Sequence, residues 1–386
     1  MLKNYRFSFM LVLALFPLIM WSQNGPGGIG DNSSMSLWLK ADGISNLNDG
    51  DLVTNWPDYS GNSNDGLSPD DNQNPPAFNN STKTINGFPV VYFSGNNTEL
   101  KVPDSDDLDS TNGLYMMSVA KIYQSSGDVN AILGKRKTYG SDFDEYAYAF
   151  FYWNGDNLYL DVNTNNERFN TSTAYNYGVT RLQGFEFDGS RQEPSRSQII
   201  VNNSVVESGS NTSTSIKNSP RDLIIGTMNH NYGKYTEMDL AELIIFQRAL
   251  NDAEHNIVNN ALSAKYDITM SVNDLYTGDL SSNGDYDYDV IGIGKESDGD
   301  HQLSKSAGIE IASHAGLDNT GDYLFAGHNS TSNSIVDTGG VAGVDKTWQR
   351  VWYFNKTDAG NALNINLTFD FNEADLNTVI NTTDPN

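Results

Sequence analysis

The chain has 386 residues and 49 acidic against 23 basic side chains, a formal charge of −26. Such a charge repels nucleic acid and anionic lipid, and the length allows two or three domains. No cysteine is present, which excludes disulfides, thiol chemistry, thiolate metal sites and a cysteine-borne lipid anchor.

Residues 1–22, MLKNYRFSFMLVLALFPLIMWS, have the layout of a cleaved signal peptide. Lys3 and Arg6 precede an apolar run, and Ser22 stands where the peptidase needs a small residue. Pro17 and the short run argue against a retained span, and no later stretch reaches spanning length. With its Asn, Asp, Ser, Thr, Gly and Tyr content, the chain reads as a bacterial protein, secreted or on the outer cell surface. Extracellular glycans or surface proteins are its expected partners, not nucleic acid.

A Gly-rich spacer (23–33) follows. Next come short strand patterns: MSLWLKA, FPVVYFSG, GLYMMSVAKIY and NAILGKR. YAYAFFYWNGDNLYLDV reads as a hairpin turning at Asn154-Gly155, and SQIIVNNSVVES as another turning at Asn202-Asn203. DLIIGTM and LAELIIF complete an antiparallel β-sandwich. At 251–265 the period changes. Asn251 and Glu254 have capping-box spacing, and Ala253, Ile257, Ala261 and Leu262 line one face of an amphipathic helix expected to pack onto the sandwich. The reading is one domain over 34–266, a linker at 267–272, and a smaller all-β domain over 273–386. In that second domain Leu363, Ile365, Leu367, Phe369 and Phe371 alternate with polar residues as in a half-buried strand. The chain stops at NTTDPN without a closing element, so the second domain is expected to continue in a longer chain with further domains.

MSLWLKADG, WPDYSGNSNDG, VVYFSGNNTELKVPD and AELIIFQRALNDAEHNIVNNALSAKY occur in the order found in laminin-G-like, concanavalin-A-like jelly-roll domains. Residues 34–266 resemble that family, most closely its flavobacterial versions on secreted surface proteins. The resemblance implies a two-sheet jelly roll, often with bound calcium, used for carbohydrate or cell-adhesion contacts. VIGIGKESDGDHQLSKSAGIEI and WQRVWYF resemble a module that follows such jelly rolls in large Bacteroidetes surface proteins. Those proteins commonly end in a sorting domain for type IX secretion.

Glu237, Asp239 and Glu242 fall in the spacing E-x-D-x-x-E. Family-16 glycoside hydrolases share the jelly roll and place a nucleophile and a general acid in this motif, with a bulge bringing the third acid to the common face. On a regular strand Glu242 would point away from the other two. The motif here also precedes the closing helix, where the laminin-G-like pattern has a strand acid of no catalytic role. A non-catalytic binding module is therefore the expectation. A retaining polysaccharide hydrolase using these three acids, or a purely structural stalk, are the alternatives.

For calcium, PDYSGNSNDG offers Asp58, Asn62, Asn64 and Asp65, with Asp239 joining from the closing strand. The competing reading is a set of Asx turns. Asp285, Asp287, Asp289 and Glu296 occupy EF-hand positions, but Val290 stands where the loop needs Gly. That leaves looser cation sites around Asp285–Asp289 or Asp298–Asp300. Sugar stacking needs exposed rings beside amides, and Tyr139, Trp153, Tyr232 and Tyr235 with Asn154, Asn229 and Asn231 fit. Trp38 and Trp56 read as core, and Trp348 and Trp352 share a strand face with Arg350. The five histidines, 230, 255, 301, 314 and 328, lack zinc spacing.

Overall fold

The computed structural model describes residues 25–69, 73–123, 129–137, 145–209, 211–230, 232–337, 346–357 and 362–369. The signal-like residues 1–22, Tyr139, Asn231 and Phe371 lie outside them. Strand and turn signals translate directly into two antiparallel sheets of eight strands. One runs Ser204–Gly209, Ser197–Val201, Thr180–Asp188, Gly113–Ile122, Glu237–Phe246, Phe88–Ser94, Ala77–Ile85, with Met35–Lys40 also pairing on Glu237–Phe246. The other runs Thr164–Ala174, Asn157–Val162, Tyr146–Trp153, Val129–Arg136, Leu223–Ile225, Leu100–Val102, Gly66–Leu67, Asn55–Trp56. Asn154-Gly155 and Asn202-Asn203 both turn hairpins with positive φ, the conformation that matches the strands' right-handed twist. Between the sheets Leu37, Trp56, Phe93, Met116, Phe150, Phe185 and Leu243 form a continuous core. Among the described residues the protein is an all-β sandwich with one α-helix.

That helix, α1 (Asp252–Tyr266), starts at the expected capping box. Asn251 Oδ1 accepts the Glu254 N–H at 2.9 Å, and Glu254 Oε2 accepts the Asn251 N–H at 3.1 Å. It does not lie on the surface as an amphipathic helix would. All but Asp252, His255 and Lys265 are buried, because a second β unit covers the face turned away from the sandwich. One apolar cluster joins Tyr115, Ile244 and Phe246 of the sandwich to Ile257 and Val258 of α1 and to Val290, Tyr323 and Phe325 beyond it. The polar positions on that far face are satisfied internally, as buried amides must be. Asn256 donates to the Tyr323 hydroxyl at 2.7 Å, and Asn260 Oδ1 accepts the Leu275 and Tyr276 N–H groups at 2.8 and 2.9 Å.

The second unit has a four-stranded sheet (Asp300–His301, Tyr288–Lys295, Asp322–His328, Trp352–Thr357) and a three-stranded one (Leu303–Ser306, Ile309–Ala315, Asn364–Phe369). In the last strand the expected half-burial holds only in part. Ile365 packs on the small core, but Leu367 and Phe369 are 38% and 42% exposed.

The Gly-rich stretch is no spacer. Residues 25–29 are buried, and Gly27 forms a parallel bridge with Ile291, its carbonyl accepting the Gly292 N–H at 3.1 Å and the Ser304 hydroxyl at 3.0 Å. Glycine is required because φ is +72° and a Cβ would stand 2.8 Å from Ile257 Cγ2. The stretch read as a linker also lies against the sandwich: Ile268 and Met270 are buried, and the Ser271 N–H donates to the Asn202 carbonyl.

Preceding Tyr288–Lys295, Asp279 and Asp287 each bury one carboxylate oxygen that has no hydrogen-bond partner among the described residues. Burial first, then the neighbouring charges of Asp274 and Asp285 respectively, push both carboxyls up to about 6. A raised carboxyl pKa means the folded state holds its proton more tightly. The stabilisation is full below the unfolded value and is lost as pH rises through about 6. Asp279→Asn or Asp287→Asn should therefore stabilise the protein at pH 7.5 by about 1 kcal/mol after solvent screening. Urea midpoints should show the gain at pH 7.5 and none at pH 4; an equal gain at both would refute this origin.

Candidate functional site

The strand Glu237–Phe246 carries the bulge that E-x-D-x-x-E requires. Its register against Gly113–Ile122 slips between Leu240 and Glu242, so Ala241 and Glu242 both point outward. All three acids therefore share the outer face, yet they enter different environments. Glu237 accepts the Tyr92 hydroxyl at 2.9 Å. Asp239 accepts the Tyr123 hydroxyl at 2.7 Å with Lys83 at 3.7 Å; burial raises its pKa against those two partners. Glu242 is buried under the end of α1. Its Oε2 accepts Trp38 Nε1–H at 2.9 Å, and its Oε1 accepts Lys265 Nζ at 2.6 Å and the Tyr266 hydroxyl at 2.8 Å. Burial alone would lower the Lys265 pKa, but Glu242, Tyr266 and Asp42 outweigh it and keep the ammonium charged.

The proposed calcium loop folds as Asx turns. Asp58 Oδ1 accepts the Trp38 and Ser60 N–H groups, and its Oδ2 accepts the Ser60 hydroxyl and the Asn64 N–H, all at 2.6–2.9 Å. Asp65 accepts the Asp58 N–H at 2.8 Å, Asn62 and Asn64 donate to the Met35 and Ser36 carbonyls, and Asn64 Oδ1 accepts the Ser105 hydroxyl. Asp239 bonds Tyr123 and Lys83 instead of joining this loop. Oxygens already accepting this many donors do not fit a cation that needs six to eight of them. Chelator is expected to leave the melting temperature unchanged in differential scanning fluorimetry; a fall of several degrees would show that the loop does hold calcium. At the looser sites, Asp298 accepts the Asp252 N–H at the start of α1, and Asp289 pairs with His328. Among the described residues no group of three His, Asp or Glu side chains is placed to hold a metal.

Of the sugar-stacking residues, Trp153 and Tyr232 come together. They pack on Phe151, Tyr159 and Met228 on the outer face of the second sheet, with Arg168 stacked over Trp153 and salt-bridged to Asp161. Asn154 is exposed in its turn, Asn229 is buried, and Tyr235 hydrogen-bonds Gln73. The Trp153 and Tyr232 rings are both half-buried in this patch.

A concavity does exist, and sequence reasoning missed it. It measures about 950 Å³ and lies between the sandwich, the end of α1, the Gly25–Gly27 segment and the second unit. The sandwich contributes Trp38 and Lys40 and the hairpin turn Asn86-Gly87 with Phe88; α1 contributes Lys265; the second unit contributes Tyr288, Asp289, His328 and Arg350. Phe88 and Tyr288 are half-buried with ring centroids 5.7 Å apart, and Tyr288 stacks on His328 at 5.9 Å. Asp289 accepts His328 Nε2–H at 2.8 Å, while Nδ1 accepts the Ser330 N–H, which fixes the tautomer. The Asp289 side chain is 45% exposed; the His328 hydrogen bond and charge, with Arg350 and Lys40, hold its pKa at about 2. Trp38 is core by burial, 8% exposed, yet its ring also borders this cleft. The one signal that could have pointed here is the Asn86-Gly87 hairpin turn.

No protein-family model matches the sequence, and no curated protein does. Several solved structures are similar in architecture. The binding domain of Paraclostridial Mosquitocidal Protein 1 is 13% identical, over 60% of this chain and 53% of that one, with a TM-score of 0.43. Domain 4 of AbnA, a GH43 extracellular arabinanase from Geobacillus stearothermophilus in complex with arabinotriose, is 13% identical over 58% and 97% (TM-score 0.40). A botulinum neurotoxin type C structure, whose cell entry depends on two ganglioside molecules, is 11% identical over 85% and 71% (TM-score 0.44). This chain thus spans about half of the first of these, and 32% of a Trypanosoma rangeli sialidase. At these identities no residue is carried across.

Proposed function

We propose that this is an exported, non-catalytic binding protein that takes an extracellular saccharide into the cleft between its two β units. The observation that carries the reading is the convergence of aromatic faces and polar groups from both units on one concavity. Phe88 and Tyr288 offer rings for stacking, and Asn86 and Asn333 stand at its edge for hydroxyls. Binding fits better than hydrolysis. A retaining glycosidase needs one protonated carboxyl beside a free nucleophile; of the three acids, Glu242 is buried and engaged by three donors, and Glu237 and Asp239 accept the Tyr92 and Tyr123 hydroxyls. Export rests on residues 1–22; no helix among the described residues is long and apolar enough to cross a membrane.

The test is retention of the whole chain on a glycan array. Phe88→Ala and Tyr288→Ala should each weaken it about tenfold, whereas Trp153→Ala should leave it unchanged. Loss only in Trp153→Ala would move the site to the outer patch. A blank array would favour adhesion through protein partners or a structural role, and release of reducing ends would restore the hydrolase.

A further inference from the structure

The charge of the cleft runs against the charge of the chain. In a protein of formal charge −26, four cationic side chains line it, Lys40, Lys265, Lys305 and Arg350, against three carboxylates, Asp42, Glu242 and Asp289. Lys265 is committed: Glu242 and Asp42 hold it at 2.6 and 2.8 Å. Lys40 has no carboxylate within 4 Å among the described residues; it stacks instead on Trp38 and Tyr59, 4.6 and 4.4 Å from the ring centroids. Arg350 is 11% exposed, and its nearest carboxylate is Asp289 at 3.9 Å, already bonded to His328. One guanidinium arm donates to the Ala307 carbonyl, while Nε is buried with no acceptor among the described residues. A buried guanidinium with a long ion pair and an open donor is under-compensated. Burial accordingly lowers its pKa, with only Asp289 opposing. Lys40 and Arg350 both act on Asp289 across the same cleft.

Resting on the saccharide-binding reading above, we propose that the ligand is an anionic saccharide, one carrying carboxylate or sulfate groups, met by Lys40 and Arg350 around Asp289. The aromatic wall takes the sugar face, and the two cations take the acid group. A surface of this overall charge repels anions elsewhere, so the cleft also sets where such a polymer can approach.

Isothermal titration of the whole chain with oligogalacturonate, a sulfated galactan oligomer and a neutral galactan oligomer tests this. An acidic oligomer should bind at least about tenfold tighter than the neutral one, with affinity falling as salt rises. Lys40→Gln and Arg350→Gln should each remove most of that preference, lowering acidic-oligomer affinity several-fold more than neutral-oligomer affinity. Asp289→Asn should strengthen acidic binding, a gain that misfolding cannot imitate. Carboxylate and sulfate are separated by which oligomer shows the effect. Equal affinity for neutral and acidic oligomers, or no response to the three variants, would overturn the anionic preference while leaving saccharide binding intact. No heat with any oligomer, together with a blank array, would overturn the saccharide reading itself and this inference with it.

Discussion

Glu242→Ala is expected to cost about 3–5 kcal/mol in chemical denaturation, the loss typical of breaking a buried ion pair from one side. The substitution strands the Lys265 ammonium with Asp42 alone and leaves Trp38 Nε1–H and the Tyr266 hydroxyl without their acceptor. Three elements lose a common point of attachment: the first strand, the closing strand and the end of α1. Replacing both partners, Glu242→Leu with Lys265→Leu, should recover a large part of the loss, because no uncompensated charge then remains in the interior. A single substitution costing under about 1 kcal/mol would show that water reaches Glu242 and that the clamp is not a buried one. Under the hydrolase reading the effect would instead fall on turnover, with stability little changed.

Gly27→Val should be nearly as damaging, by roughly 2–5 kcal/mol. A β-branched residue in the left-handed region costs about 1–2 kcal/mol. Driving its side chain into Ile257, at 2.8 Å from Cβ to Cγ2, adds about 1–3 kcal/mol of overpacking. The damage should be local to the junction of α1 and the second unit, so hydrogen exchange should accelerate at the Gly292 amide before the sandwich strands respond. Uniform acceleration would mean the segment is coupled to the entire sandwich. Because Gly25–Gly27 line the cleft, saccharide retention should fall in parallel.

The sandwich was legible because its signals are local. Alternating apolar residues, Asn-Gly and Asn-Asn turns and the Asn251–Glu254 box each act within a few residues of chain, and each reappears in the structure. The helix shows where local reasoning ends. Asn256 and Asn260 look like a solvent face, and only a second body folding back over them turns that face into interior. The bulge at Ala241 has no marker residue, since an alanine accepts it as readily as a regular strand position. The glycines at 25–28 read as a spacer because flexibility and close approach select the same residue. The cleft was illegible for a further reason: Lys40, Phe88, Lys265, Tyr288 and Arg350 come from separate segments, and none is unusual where it stands. Trp153 and Tyr232, paired by proximity to turns, did meet, as half-buried rings packed on the outer face of the second sheet.

The bridge between Gly27 and Ile291 has a mechanical consequence. It ties two points of the backbone with the whole sandwich looped between them. Tension entering ahead of residue 27 and leaving after residue 291 passes across that bridge and the Ser304 bond, loading them in shear. The intervening strands bear no stretch until the tie gives way. The sandwich is thus a shielded loop under load, and the first extension in a pulling experiment would be release of the glycine segment followed by the length of the loop behind it.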